Sequence, residues 1–134
     1  MLGKNIASLL GKGSIVALKG PLGAGKTCLV KGIAAGIGVK EEVTSPTYTI
    51  ISEYEAFINE LSLQFFHIDA YRLKGDDDFT AIGGEEILFG EGISVIEWSE
   101  RIAFIIPDHA LKVDIEIMED DKRRIHLYRE VLRR

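Results

Sequence analysis

The chain has 134 residues, 46% of them hydrophobic and 28% charged, with a net charge of −5. That make-up suits one ordinary globular domain around a single core. A lone cysteine, Cys28, excludes an internal disulfide, and no apolar run approaches the roughly 20 residues a membrane-crossing helix needs.

No basic-then-apolar leader precedes the first elements, so a cytoplasmic location without membrane attachment is expected. Residues 2–11 put Leu2, Ile6, Leu9 and Leu10 on one helical face, and Gly13 supplies a stop. Ser14–Lys19 is a short apolar run before glycines and reads as a buried strand. Leu29, Val30, Ile33, Ala34 and Ile37 then recur at helical spacing and end at Gly38. Tyr48–Tyr54, Leu63–Ile68 and Ile93–Ile96 read as strands. Helical stretches are expected after Asp76–Asp78, as N-cap residues, and after Ser99. His109–Met118 and Lys122–Leu132 alternate around Glu119-Asp120-Asp121, the pattern of an antiparallel hairpin. Together these predict an α/β fold, a P-loop NTPase-like three-layer sandwich in which helices flank a mixed sheet ending in a hairpin.

Gly20, Gly25, Lys26 and Thr27 meet the pattern G-x-x-x-x-G-K-[ST], with an apolar strand leading in and an amphipathic helix leading out. Glycines at 20, 23 and 25 let the backbone curl so that its N–H groups face an anion, and the following helix adds its positive end. Leu22, Gly23, Ala24, Gly25, Lys26, Thr27 and Cys28 are therefore the candidate nucleotide-binding residues. Lys26 serves the β- and γ-phosphates, and Thr27 offers a hydroxyl to magnesium. With the site empty, Lys26 is expected to face solvent.

Binding alone needs no more, but hydrolysis needs a carboxylate opposite the loop. Asp69 and Glu97 each follow an apolar strand, and ligand sites in such sheets lie beyond the strands' carboxyl ends. Spacing does not decide which acid meets the metal. His67, Asp69, Tyr71 and Arg72 form a polar group in which alternation puts His67 and Asp69 on one face. That group suits a water-handling site, although a structural role for His67 or a salt bridge for Arg72 reads as plainly. Ser45 and Thr47 flank Pro46 in a hydroxyl-rich loop, a switch near the γ-phosphate or simply a turn. Trp98, the single tryptophan, reads as core.

Charge argues against direct RNA binding. Residues 40–100 hold 14 acids and only three bases, Lys40, Arg72 and Lys74, whereas phosphate binding is driven by basic contacts. Lys122, Arg123, Arg124, Arg129, Arg133 and Arg134 gather towards the end, read most simply as a solvated strand face.

In this order, four segments resemble the TsaE family (formerly YjeE), small bacterial P-loop ATPases of tRNA threonylcarbamoyladenosine (t6A) modification. They are Leu22–Thr27, Ser45-Pro46-Thr47-Tyr48, His67-Ile68-Asp69-Ala70-Tyr71-Arg72-Leu73 and Ile96-Glu97-Trp98-Ser99-Glu100. The segment Ile82–Glu86 is also similar, and the likeness runs from about Leu2 to the end. The resemblance implies a mixed sheet flanked by helices, ATP and Mg2+ as ligands, and weak ATPase activity. It implies the partners TsaB and TsaD, with tRNA reached only through the complex. Catalytic residues would be Asp69, Glu97 and Lys26. By that similarity Glu97 joins Thr27 around the metal and Asp69 acts near the attacking water. Ser45 and Thr47 form the switch, and Trp98 lies close to the site.

Two departures stand out. Pro21 occupies a position where the family usually has an acid. The chain also starts after the family's usual extra N-terminal strand, a stretch that in the family normally lies near the adenine; one P-loop ATPase domain over residues 1–134 is expected. Among rivals, a GTPase lacks an Asn-Lys-x-Asp segment, and a small-molecule kinase has only Arg72 and Arg101 for a lid. A third is a nucleotide-gated assembly module in which hydrolysis is incidental.

Overall fold

The structure is a computed structural model and describes residues 2–21, 23–43 and 50–129. Helix α1 (Leu2–Ala7) leads into β1 (Ile15–Lys19), the loop, and α2 (Lys26–Gly36). An antiparallel pair follows, β2 (Ile51–Ile58) and β3 (Leu61–Asp69), then two short helices, α3 (Asp76–Ala81) and α4 (Gly84–Leu88). Strand β4 (Ile93–Glu97) runs into a single 3-10 turn, Ser99–Ile102, and β5 (Leu111–Ile117) and β6 (Arg123–Tyr128) form the hairpin. The six strands make one sheet in the order β2-β3-β4-β1-β5-β6. Its middle four strands are parallel, and β2 and β6 pair antiparallel at the two edges. This is the mixed, flanked sheet the sequence predicts.

The middle strands are apolar without interruption because both sheet faces are covered. In β1, Val16 and Leu18 pack with Val30 and Ile33 of α2, while Ile15 and Ala17 pack with Phe79, Leu88 and Ile102 on the other side. Helices α1 and α2 approach closely: a Cβ on Gly3 would lie 2.7 Å from the Gly32 backbone, so only glycine fits there. Fixing α2 this tightly against the sheet fixes its N-terminal turn, where the site is built.

Three local expectations differ. Helix α1 ends at Ala7, so Leu9 falls outside it and is exposed rather than sharing the apolar face. The cap of α3 is Gly75, and the three aspartates form its first turn, where carboxylates oppose the helix dipole's positive end. The stretch after Ser99 closes as four residues of 3-10 helix because Trp98 enters it from a left-handed conformation.

Candidate active site

The loop joins the end of β1 to α2 beneath the carboxyl ends of β3, β4 and β1. Gly23 (φ 78) and Gly25 (φ 94) adopt left-handed backbone conformations, and a Cβ at either would meet nothing within 4 Å. The glycines are therefore required by backbone curvature, not by crowding. Above them lies a cleft of about 380 Å³, into which Gly23, Ala24, Gly25, Lys26, Thr27 and Cys28 project from one side. Asp69, Tyr71, Glu97 and Trp98 close the other side. Leu22, Ser45 and Thr47 lie outside the described residues.

Parallel register sets the two acids side by side, Asp69 of β3 opposite Glu97 of β4. Glu97 is buried and meets the helix α2 side: Thr27 Oγ1 donates to its Oε1 at 3.1 Å and lies 3.3 Å from its Oε2. Its Oε2 also meets His67 Nε2 at 2.5 Å. Asp69 is half-buried, and its Oδ1 accepts from the Tyr71 backbone N–H at 3.0 Å, within its own turn. The polar group expected around Asp69 is thus divided. His67 does share a face with Asp69, but its partner is Glu97 on the next strand, and Tyr71 and Arg72 are exposed.

Lys26 departs from expectation. It is 5% exposed, and its Nζ donates to the carbonyls of Gly20 and Pro21, the latter at 3.1 Å. The ammonium also lies 3.7 Å from the centroid of the Trp98 ring, a cation–π contact. Burial pulls the Lys26 pKa below the ordinary lysine value, against the opposing pull of Glu97, Glu100 and Asp69. The loop's own carbonyls and the Trp98 ring together satisfy the buried cation.

Trp98, read from sequence as core, is half-buried and lines the cleft. Its left-handed backbone (φ 58, ψ 43) is unusual for a bulky residue and turns the indole towards Lys26. Tyr71 packs against it, ring centroids 4.9 Å apart. Arg123, read from sequence only as part of a solvated strand face, reaches the loop. From β6, its Nη2 donates to Gly23 O at 3.0 Å and its Nε to Ala24 O at 3.3 Å. Only tertiary pairing of β6 with β5 brings it to the loop, and nothing local in sequence marks it.

The donor set suits a hard cation beside a polyphosphate. A hydroxyl and a carboxylate from facing elements are oxygen ligands of the kind magnesium takes, with phosphate and water supplying the rest. No cluster of three or more His, Cys, Asp or Glu suited to a metal occurs among the described residues.

A family model described as "Threonylcarbamoyl adenosine biosynthesis protein TsaE" matches residues 1–125. The chain belongs to the TsaE family. It is 42% identical over 123 residues to the tRNA threonylcarbamoyladenosine biosynthesis protein TsaE of Treponema pallidum, covering 92% of this chain and 87% of that one. The Bacillus subtilis TsaE is 37% identical, with 92% of this chain and 75% of that protein covered. Superposition on the crystal structure of Bacillus subtilis YdiB gives a TM-score of 0.73 at 32% identity, over 94% of this chain and 74% of that one. The fold found here is therefore shared with that relative.

Proposed function

We propose that this chain is a magnesium-dependent ATP-binding protein that hydrolyses ATP slowly and serves t6A modification of tRNA together with TsaB and TsaD. Family membership supports the t6A role, since the curated relatives are named for that pathway. The observation that carries the ATPase reading is the Thr27–Glu97 pair, a helix hydroxyl and a strand-end carboxylate brought 3.1 Å apart beside the phosphate loop. Residues 1–134 act in this reading as one cytoplasmic ATPase domain. No helix among the described residues is long and apolar enough to cross a membrane.

The roles follow from the environments. The Gly23–Gly25 backbone and the start of α2 receive the phosphates. Lys26 exchanges its loop carbonyls for phosphate oxygens, a stronger, charge-assisted pairing. Thr27 and Glu97 would hold the metal, which would supply charge neutralisation for the phosphates. Asp69, which lines the cleft beside Glu97, orients or deprotonates the attacking water. Tyr71 and Trp98 wall the cleft. RNA is reached through the partner proteins, in keeping with the net charge of −5.

Calorimetry with Lys26→Ala tests the site: nucleotide affinity should fall at least about 10²-fold, because the loop's one side-chain cation is gone. Unchanged ATP binding sinks the assignment. A pull-down with TsaB and TsaD, with and without ATP and with a non-hydrolysable analogue, tests the role. Assembly that tolerates the analogue while tRNA modification stops makes hydrolysis the productive step. Modification that continues with the analogue makes the chain a nucleotide-gated assembly module instead.

A further inference from the structure

We propose that His67 is a positioning residue that holds the Glu97 carboxylate in its metal-binding orientation before nucleotide arrives. The inference rests on the reading of Glu97 as a magnesium ligand. It adds a residue that acts only through that carboxylate and that does not line the cleft.

His67 is fully buried in β3, with Val95 as its register neighbour on β4 and Glu97 two residues further along. Side chains at 65, 67 and 69 of β3 and at 93, 95 and 97 of β4 point to the same face of the sheet, the face covered by α2. The imidazole therefore reaches diagonally to the carboxylate and meets Oε2 at 2.5 Å. Oε1 is left as the oxygen nearer Thr27 Oγ1, at 3.1 Å against 3.3 Å for Oε2. One oxygen is tethered inside the sheet and the other faces the loop.

The other ring nitrogen explains the direction of this hydrogen bond. His67 Nδ1 is buried without a partner among the described residues. With the proton on Nε2, the ring donates to Glu97 and leaves only a lone pair unpaired at Nδ1. With the proton on Nδ1, a buried N–H would be orphaned and Nε2 would turn a lone pair on a carboxylate, which is worse on both counts. The Nε2–H tautomer is the one the surroundings select.

A free glutamate must order its rotatable bonds each time a metal binds, and that cost is charged to affinity. Here folding has already ordered Glu97, which is how outer partners of metal-binding carboxylates act. A merely structural His–Glu pair would affect folding but would not make nucleotide binding respond differently to magnesium.

ATP affinity should be measured with magnesium and with EDTA for the wild type, Glu97→Gln, His67→Leu and His67→Gln, on the full chain. His67→Leu is expected to reduce the magnesium enhancement about tenfold, in the range typical of lost outer-shell partners, while changing affinity in EDTA less than about twofold. His67→Gln, whose amide can donate from a similar reach, should restore most of the enhancement. A folded His67→Leu with the wild-type magnesium enhancement overturns the proposal, as does a His67→Gln as impaired as His67→Leu. Should His67→Leu fail to fold, 15N NMR of the wild-type ring decides: a proton on Nε2 alone supports the assignment, and any proton on Nδ1 refutes it. If Glu97→Gln keeps the full enhancement, the metal reading fails and the positioning role falls with it. If Glu97→Gln loses the enhancement and His67→Leu does not, only the positioning role falls.

Discussion

The ends of β3 and β4 lie side by side and in register, and each carries one acid on the same face, yet the two acids are wired into different parts of the molecule. Glu97 is buried and bound from two sides, by Thr27 of α2 and by His67 of β3. Asp69 is half-buried, and the one hydrogen bond seen at its carboxylate comes from the backbone of its own turn. A carboxylate held from behind and facing a hydroxyl is suited to a fixed ion. One tethered at a single oxygen keeps lone pairs for water and for a proton in transit. The difference arises from neighbours: β4 lies next to β1 and so next to the loop, while β3 lies one strand further out.

Exchanging each acid for its amide is the direct way to break this comparison. Asp69→Asn should show the larger effect, cutting hydrolysis by about 10²-fold, equivalent to about 2.7 kcal/mol of barrier, with ATP affinity nearly intact. The Tyr71 N–H keeps an oxygen acceptor in this variant, so the turn should survive and circular dichroism should be unchanged. Single-turnover hydrolysis measured alongside equilibrium binding checks both halves. A binding defect that depends on magnesium in Asp69→Asn would exchange the two roles.

Glu97→Gln should weaken magnesium-dependent ATP binding about tenfold and slow hydrolysis with it, since an amide is a poorer ligand for a hard cation. The amide oxygen still accepts from His67, so the thermal midpoint should move little. Titrating magnesium at fixed ATP separates the two effects: a metal ligand lost is partly rescued by high magnesium, and a damaged fold is not.

Much of this arrangement was legible in the sequence. The loop, its flanking strand and helix, and the placement of both acids at strand ends follow from glycine spacing and from apolar runs bounded by polar residues. Alternation along β3 even placed His67 on the face of Asp69. The His67–Glu97 contact was not legible, because it depends on the register between two strands about thirty residues apart. Arg123 escaped for the same reason, since only the β5–β6 pairing carries it to Gly23 and Ala24. Lys26 was misjudged for a different one: its charge suggested exposure, but the loop carbonyls and the Trp98 ring together offer the ammonium enough to stay inside. No residue pattern announces a left-handed tryptophan.

Lys26 also sharpens the comparison through pH, with the smallest expected effect. Burial lowers its pKa, while Glu97, then Glu100, then Asp69 raise it, Glu97 having the strongest pull of the three. Between the lowered value and the ordinary 10.5 of an unfolded lysine, the unfolded chain binds more protons than the folded one. Stability attributable to this group therefore rises with pH through that window, because the cost of a buried ammonium is relieved. Nucleotide works in the opposite sense: phosphate favours the charged amine, so binding should take up protons in the same window and affinity should fall as pH rises. Calorimetry in two buffers of different ionisation enthalpy, at alkaline pH, reads that uptake directly. Removing either acid's charge should lower the Lys26 pKa further and move the uptake to lower pH, by more for Glu97→Gln than for Asp69→Asn. Equal displacement by the two variants would show that the amine feels both acids alike, and the difference in wiring would then stop at Thr27 and His67.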